Sequence, residues 1–267
     1  MEARIIALLT DFSASDPYVG VVKGVILGIN PQARIVDLAH NLPKYNIRAA
    51  AFYLLITYRY FPKNTVFCCV VDPGVGTKRK PIAIKTDNYY FVGPDNGCLV
   101  WAAEKDGIQK IIEITNRSYM LDKVSTTFHG RDIFAPAAAH ISRGIDIVSL
   151  GKEISKESIT RMEFPQPVKK EGSYILEMIV CDGFGNIILN MPTSEADFKY
   201  GEKVRILVRN KTYTARVVNT YGEAPEGSLL LLRQTSHGYV EIAVNKGSAK
   251  QLLNIRQGEK IVILEGI

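Results

Sequence analysis

Three residues of this chain have types that could do chemistry: a carboxylate, a guanidinium and an imidazole. Asp72 and Arg79 bracket a glycine turn in "VVDPGVGTKRK" (70–80), and His129 precedes a glycine in "STTFHGRDIFAP" (125–136). The glycine stretch does not read as a phosphate cradle. A P-loop starting at Gly74 needs glycine where Arg79 stands, and a dinucleotide loop from Gly74 and Gly76 fails at the same position. It would also have to open a helix, whereas Pro81 leads into strand-like residues. A tight turn is left, folding the chain back so that Arg79 reaches Asp72 in a charge-assisted pair that keeps the carboxylate ionised. A lone histidine is more often structural than catalytic, but imidazole is the usual proton acceptor near neutral pH. Arg131 and Asp132 read as first-turn helix residues, and His40 and His140 as structural.

Other polar residues gather where strands should end: Asp11 and Asp16 after the first, His40-Asn41 after the second, Asp72 after the third, and Asp95-Asn96 after a hairpin. Asp and Asn favour turns and caps in any protein. Such a collection at one sheet edge also suits a ribose, whose diol donates well to a carboxylate. In the C-terminal half, "CDGFGNIILN" (181–190) has a Gly-Phe-Gly-Asn core that reads as a hairpin turn. Phe184 offers a ring for a purine to stack on, and Asn186 an amide that both donates and accepts. "TSHGYVEIAVNKGSA" (235–249) places Ser236, His237, Asn245 and Lys246 around a strand.

The elements that must position these residues alternate at first. Strands are expected over 4–12, 33–40 and 65–71, a hairpin over 81–86 and 89–93 turning at Asp87-Asn88, and a further strand over 110–115. Between them lie helices over 17–30 (capped by Asp16 and opened by Pro17), 46–61 (capped by Asn46), 96–107 and 131–144, the last kinked or started at Pro136. This alternation predicts an α/β domain with a largely parallel sheet. Beyond about residue 172, short strands separated by turns predict a smaller all-β, barrel-like domain. The division expected is 1–163, a proline-containing linker at 164–172, and 173–267.

Composition excludes several classes. The net charge of +6 arises from scattered cations, with no aromatics interleaved, so nucleic acid is not an expected partner. No apolar run is long enough to span a bilayer, and "MEARIIALLTDF" lacks the features of a signal peptide. A cytoplasmic protein is expected. The four cysteines make no C-x-x-C pair and read as core thiols, with no metal site among them.

Taken together, "LLTDFSASDPYVGVVKG", "IVDLAHNLP", "FPKNTVFCCVVDPGVGTKRKPI", "GPDNG", "FHGRDIFAPAAAH", "DGFGNIILN" and "SHGYVEIAVNKGSA" run in the order of one family over nearly the whole chain. The sequence resembles the S-adenosylmethionine hydroxide adenosyltransferases, relatives of the bacterial fluorinases and chlorinases. The resemblance implies an α/β domain followed by a β-barrel domain. It also implies a homotrimer with each site between the N-terminal domain of one subunit and the C-terminal domain of its neighbour. Asp72, Arg79 and His129 match the family set that positions and activates water. Asp11 would hold the ribose hydroxyls, with Asp16 and Tyr18 in the same loop and Tyr45 lining the sugar pocket. Phe184 and Asn186 would meet adenine, with Asn245 and Lys246 bordering it. Asp182, Ser236 and His237 would face the methionine end, although the halogenases carry Arg where His237 stands.

The implied reaction is hydrolysis of S-adenosyl-L-methionine to adenosine and L-methionine, by in-line attack of water on C5′ without metal or other cofactor. The alternatives are a halogenase, a metal-dependent phosphoesterase using carboxylates 11, 16, 72 and 95 with His129, and a non-catalytic nucleoside-binding protein. The halogenases carry tyrosine at the Asp72 position and no base at that of His129. The fluorinases also carry an inserted loop where only Asp87-Asn88 stand here. Both departures favour water, since a carboxylate beside the nucleophile repels halide.

Overall fold

The computed structural model describes residues 5–266, which form two compact units divided between Met162 and Glu163. In the first unit, β1 (Ile5–Thr10), β2 (Arg34–Ala39), β3 (Val66–Val70), β4 (Pro81–Thr86), β5 (Tyr90–Pro94), β6 (Ile108–Ile114) and β7 (Gly151–Glu153) build one sheet in the order β2-β1-β3-β5-β4-β6-β7. The four strands from β2 to β5 are parallel, and β4, β6 and β7 add an antiparallel half. "VFCCV" is buried at every position, because a central parallel strand is covered on both faces. The helices are α1 (Tyr18–Ile29), α2 (Ile47–Thr57), α3 (Val100–Asp106) and α4 (Ala135–Ser142). Val22 and Ile26 of α1 and the alanines of α4 share a core with Ile6, Leu8, Cys68 and Val70. Side chains alternate across a strand, so Ala7, Leu9, Phe67 and Cys69 belong to the opposite face.

Local chemistry accounts for most boundaries. Asn46 caps α2 by accepting from the Ala49 N–H at 2.9 Å, and Asn30 ends α1. At the start of α1 the expectation needs correction. Pro17 itself holds the cap position, no side chain caps the helix, and helical residues begin at Tyr18. Asp16 is thereby left in the preceding loop. Before α4 the chain takes a π-helical turn, Gly130–Phe134, with the Ala135 N–H reaching back to the Gly130 carbonyl. Pro136 then sits in the first turn of α4, where its missing N–H costs nothing.

The second unit contains β8 (Val168–Lys170), β9 (Ser173–Cys181), β10 (Ile187–Pro192), β11 (Lys203–Val208), β12 (Lys211–Val218), β13 (Leu229–Leu232), β14 (Tyr239–Val244), the short helix α5 (Ala249–Leu253) and β15 (Lys260–Leu264). β9 pairs with β15 through its first half and with β10 through its second. The seven strands from β9 to β15 therefore close into a barrel, which removes exposed sheet edges. Alternating residues such as Tyr174, Leu176, Val204, Ile206, Ile261 and Ile263 fill it. β8 is a strand within the stretch expected as linker, and it pairs with the start of β9.

Candidate active site

In the first unit the chain leaves β1 to one side, to reach β2, and returns to the other side as β3. Ligands of open α/β sheets bind at such a switch point, beyond the strand C-termini. Asp11 follows β1 directly and Asp72 lies just past β3. Both line a cavity of 280 Å³ there, together with Asp16, Tyr18, Tyr45 and His129. Asp11 is only 7% exposed, and its carboxylate accepts from the Tyr45 backbone N–H at 2.7 Å. Lys44 Nζ donates to the Asp11 carbonyl at 2.5 Å. The loop from β2 to α2 is thus bound to the end of β1. Tyr45 adopts φ +62°, and its ring is 72% exposed. Phe12, Tyr18 and Phe128 form a cluster of edge-to-face rings, 5.5 to 6.0 Å between centroids, on the same cavity.

Asp72, Arg79 and His129 form one hydrogen-bonded chain. Arg79 Nε donates to Asp72 Oδ1 at 3.0 Å, and Nη2 donates to Asp72 Oδ2. Both side chains are 6% exposed. Nη2 also lies 3.0 Å from His129 Nδ1. A guanidinium has only donors, so Nδ1 is the acceptor. The imidazole is therefore neutral, with its proton on Nε2. Burial, and then the Arg79 charge, hold the His129 pKa below its ordinary value. Arg79 also stands over the Phe134 ring, 5.2 Å from its centroid.

Gly76 joins the two loops that carry these residues. Its φ is +77°, and a Cβ there would lie 2.3 Å from the Thr126 carbonyl oxygen. Only glycine lets "DPGVGTKR" dock against the 125–129 loop, which brings His129 to Arg79.

The second unit has its own cavity, of 690 Å³, lined by Asp182, Phe184, Asn186, Tyr221, Lys246 and Ser248 among others. Asp182 organises the turn between β9 and β10. Its Oδ1 accepts from the Phe184 and Asn186 N–H groups, both at 2.9 Å, and its Oδ2 accepts from Asn186 Nδ2 at 3.0 Å. The Phe184 ring is left 82% exposed. Gly185, at φ +88°, comes so close to Ser248 that a Cβ would meet its Oγ at 2.1 Å. This packs the turn against the segment before α5.

The remaining residues of the C-terminal motif diverge. Lys246, at φ +53°, pairs with Glu226 at 3.0 Å. Asn245 Nδ2 donates to the Ala224 carbonyl at 2.8 Å, which ties the loop before β13 to the end of β14. Ser236 is exposed in the turn before β14. His237 contacts Glu241, its Nε2 lying 2.9 Å from Oε2. Neither Asn245, Ser236 nor His237 lines the cavity. Asp95 also lies apart from the N-terminal cavity, accepting from the Thr160 N–H at 2.7 Å. Among the described residues, no three His, Cys, Asp or Glu side chains come together as a metal-ligand set. Of the groups named for the phosphoesterase alternative, Asp11, Asp16, Asp72 and His129 share the N-terminal cavity and Asp95 does not. His40 bridges Thr10 and Asp37, both at 2.9 Å, in a structural role as expected.

Sequence reading missed Phe12, Phe128, Lys44, Tyr221 and Glu241. Three of them had a usable signal, since Phe12, Phe128 and Lys44 each adjoin a residue already singled out. Tyr221 and Glu241 had none, because only the pairing of β12, β13, β14 and β10 sets Tyr221 on the cavity with Asp182 and Phe184, and Glu241 behind it.

Comparison with known proteins fits this architecture. Residues 6–151 match the SAM hydroxide adenosyltransferase N-terminal domain, and residues 176–262 match the C-terminal domain of the same name. A Methanocaldococcus jannaschii protein named (R)-S-adenosyl-L-methionine hydrolase is 37% identical over 270 residues, covering 97% of this chain and 95% of its own. A Salinispora tropica protein of the same name is 34% identical, with 98% of each chain covered. A fluorinase from Actinoplanes sp. is more distant, at 24% identity with 97% of each covered. The solved structure of an uncharacterized conserved protein from Thermotoga maritima superimposes with a TM-score of 0.91 at 40% identity, covering 97% of this chain and all of that one. The chain belongs to the SAM hydroxide adenosyltransferase family.

Proposed function

We propose that this protein hydrolyses S-adenosyl-L-methionine to adenosine and L-methionine. Relatives that match nearly end to end carry the hydrolase name with an R sulfur centre, so the R sulfonium epimer is the substrate proposed. The observation that carries the reading is the Asp72–Arg79–His129 chain, held by Gly76 beside the cavity that also contains Asp11. A halide site would not be built beside a buried carboxylate.

Asp11 takes the ribose hydroxyls, and Tyr45 flanks the sugar. Asp16 and Tyr18 lie along the same wall. Phe184 and Asn186 serve adenine, with Lys246 and Asn245 at its border. Asp182, Ser236 and His237 belong to the methionine end. Arg79 supplies the positive charge that favours hydroxide character in the bound water, and Asp72 fixes its orientation. Neutral His129 offers its Nε2–H to the nucleophile. Water attacks C5′, the C5′–S electron pair returns to sulfur, and the water proton passes to Asp72 and on to solvent. The leaving thioether is neutral, so the reaction needs no general acid, and no metal or cofactor is invoked. The main catalytic effects are orientation and exclusion of bulk water. The assembly proposed is a homotrimer in the cytoplasm, with sites completed between subunits.

The test uses each sulfonium epimer in ¹⁸O-water, with EDTA present. The expected result is adenosine labelled at its 5′-oxygen, formed faster from the R epimer. No adenosine from either epimer would refute the enzyme reading. With chloride present, 5′-chloro-5′-deoxyadenosine as main product would return the halogenase.

A further inference from the structure

Glu241 lies in the middle of β14, in the run "YVEIAV", and is 2% exposed. A buried carboxylate is costly unless its oxygens are satisfied, and an apolar residue would serve a barrel strand as well. Here each oxygen serves a different segment. Tyr221 OH, from the short helical turn after β12, donates to Oε1 at 2.8 Å. His237 Nε2, from the turn before β14, lies 2.9 Å from Oε2.

The direction of the second bond is set by the backbone. The Tyr239 N–H donates to His237 Nδ1 at 3.2 Å, so Nδ1 carries the lone pair and Nε2 the proton. Glu241 therefore accepts twice, and anchors by its Nε2–H the histidine tautomer that the Tyr239 N–H sets. Tyr221 lines the same cavity as Phe184 and Asn186, and its ring is 44% exposed. With its hydroxyl tied to Glu241, the ring cannot swing away from the cavity without breaking a hydrogen bond to a buried carboxylate.

We propose that Glu241 is the positioning residue of the C-terminal half-site, holding Tyr221 as a fixed aromatic wall of the nucleoside cavity and anchoring the His237 ring by its Nε2–H. The proposal rests on the adenosine-binding part of the reading above, though not on turnover. Glutamine at 241 can keep both contacts if the Tyr221 hydroxyl turns round to accept from its amide, so leucine, which can accept from neither, is the variant that releases both.

The experiment is titration of adenosine into wild type and Glu241→Leu, with ¹⁵N-histidine spectra of both. A buried bond to a charged group is lost, so adenosine should bind at least about tenfold more weakly in the variant. The His237 nitrogen shifts should also change, because the Nε2 proton loses its acceptor. Tyr221→Phe keeps the carboxylate and removes only the hydroxyl. It should weaken adenosine binding as well, and the double variant should lose less than the sum of the two. Wild-type affinity and unchanged His237 nitrogen shifts in Glu241→Leu, with only a changed melting temperature, would overturn the proposal. If Glu241→Leu does not fold, wild-type affinity in Tyr221→Phe has the same force. Weaker adenosine binding in a protein that never turns over S-adenosylmethionine would leave this proposal standing while refuting the hydrolase.

Discussion

Asp72→Asn tests the proposed site most directly. Asparagine keeps the shape of the side chain but can accept only one of the two bonds that Arg79 donates, at Oδ1 (3.0 Å) and Oδ2. Its amide hydrogens would face the other guanidinium N–H. A charge-assisted bond lost at a site 6% exposed costs about 1.5–3 kcal/mol, and a buried guanidinium left without its counter-charge raises this to about 3–5 kcal/mol. For a unit of this size, each kcal/mol lowers Tm by roughly 2–4 °C. Calorimetry should therefore find a drop on the order of 10 °C. The effect on rate should be larger, because Arg79 loses the group that aims it. The plateau of kcat/KM for adenosine release should fall by about 10²–10⁴. Charge coupling adds a signature that simple unfolding lacks. The Asp72 carboxylate raises the His129 pKa against the lowering by burial and Arg79. Removing it should move the acid limb of the pH–rate profile to lower pH. Adenosine release measured from about pH 5 to about pH 8 reads both effects. An unchanged plateau, or a limb shifted upward, would refute the proposed roles of the set.

Four further outcomes follow from the same geometry. In wild type, the lowered His129 pKa means that the folded state resists protonation. Activity, and the stability tied to this group, should be full above the ordinary histidine value of 6.5 and decline as pH falls below it; a decline beginning above 6.5 would contradict the neutral tautomer. Gly76→Ala places a Cβ against the Thr126 carbonyl, and should cost more than about 1 kcal/mol of stability and most of the activity. Wild-type kinetics would show that docking of the two loops is not needed. Phe184→Ala should weaken adenosine binding by about 1–3 kcal/mol in calorimetric titration with little change in Tm, since the ring is exposed. Asn46→Ala removes the cap of α2 and should cost about 1 kcal/mol of stability in denaturant titration, with KM rising if the 40–46 loop loosens.

Much of this protein is determined by the sequence alone, because its signals are local. Buried parallel strands such as "VFCCV" must be apolar throughout, the hairpin turn at Asp87-Asn88 is a matter of two residues, and Asn46 caps the helix it precedes. The glycine turn between Asp72 and Arg79 is equally local: the chain has to fold back within eight residues, so their pairing was legible. The start of α1 was misplaced by one residue because Asp16 and Pro17 both favour a helix entrance, and their competition depends on the loop that follows Asp11. Tertiary structure alone decided the rest. His129 meets Arg79 only because Gly76 admits the Thr126 carbonyl, a contact between loops fifty residues apart. The neutral form of His129 then follows from a donor that has no sequence relation to it. Pairing of β12, β13 and β14 likewise brings Tyr221 to Glu241, whose other oxygen meets His237 four residues earlier, and turns a strand glutamate into the acceptor for both. Asn245, which adjoins Lys246 in the motif, is spent on a loop carbonyl. Residue types and short spacings determine which groups are present and which turns form, but hydrogen-bond direction and protonation depend on partners supplied by folding.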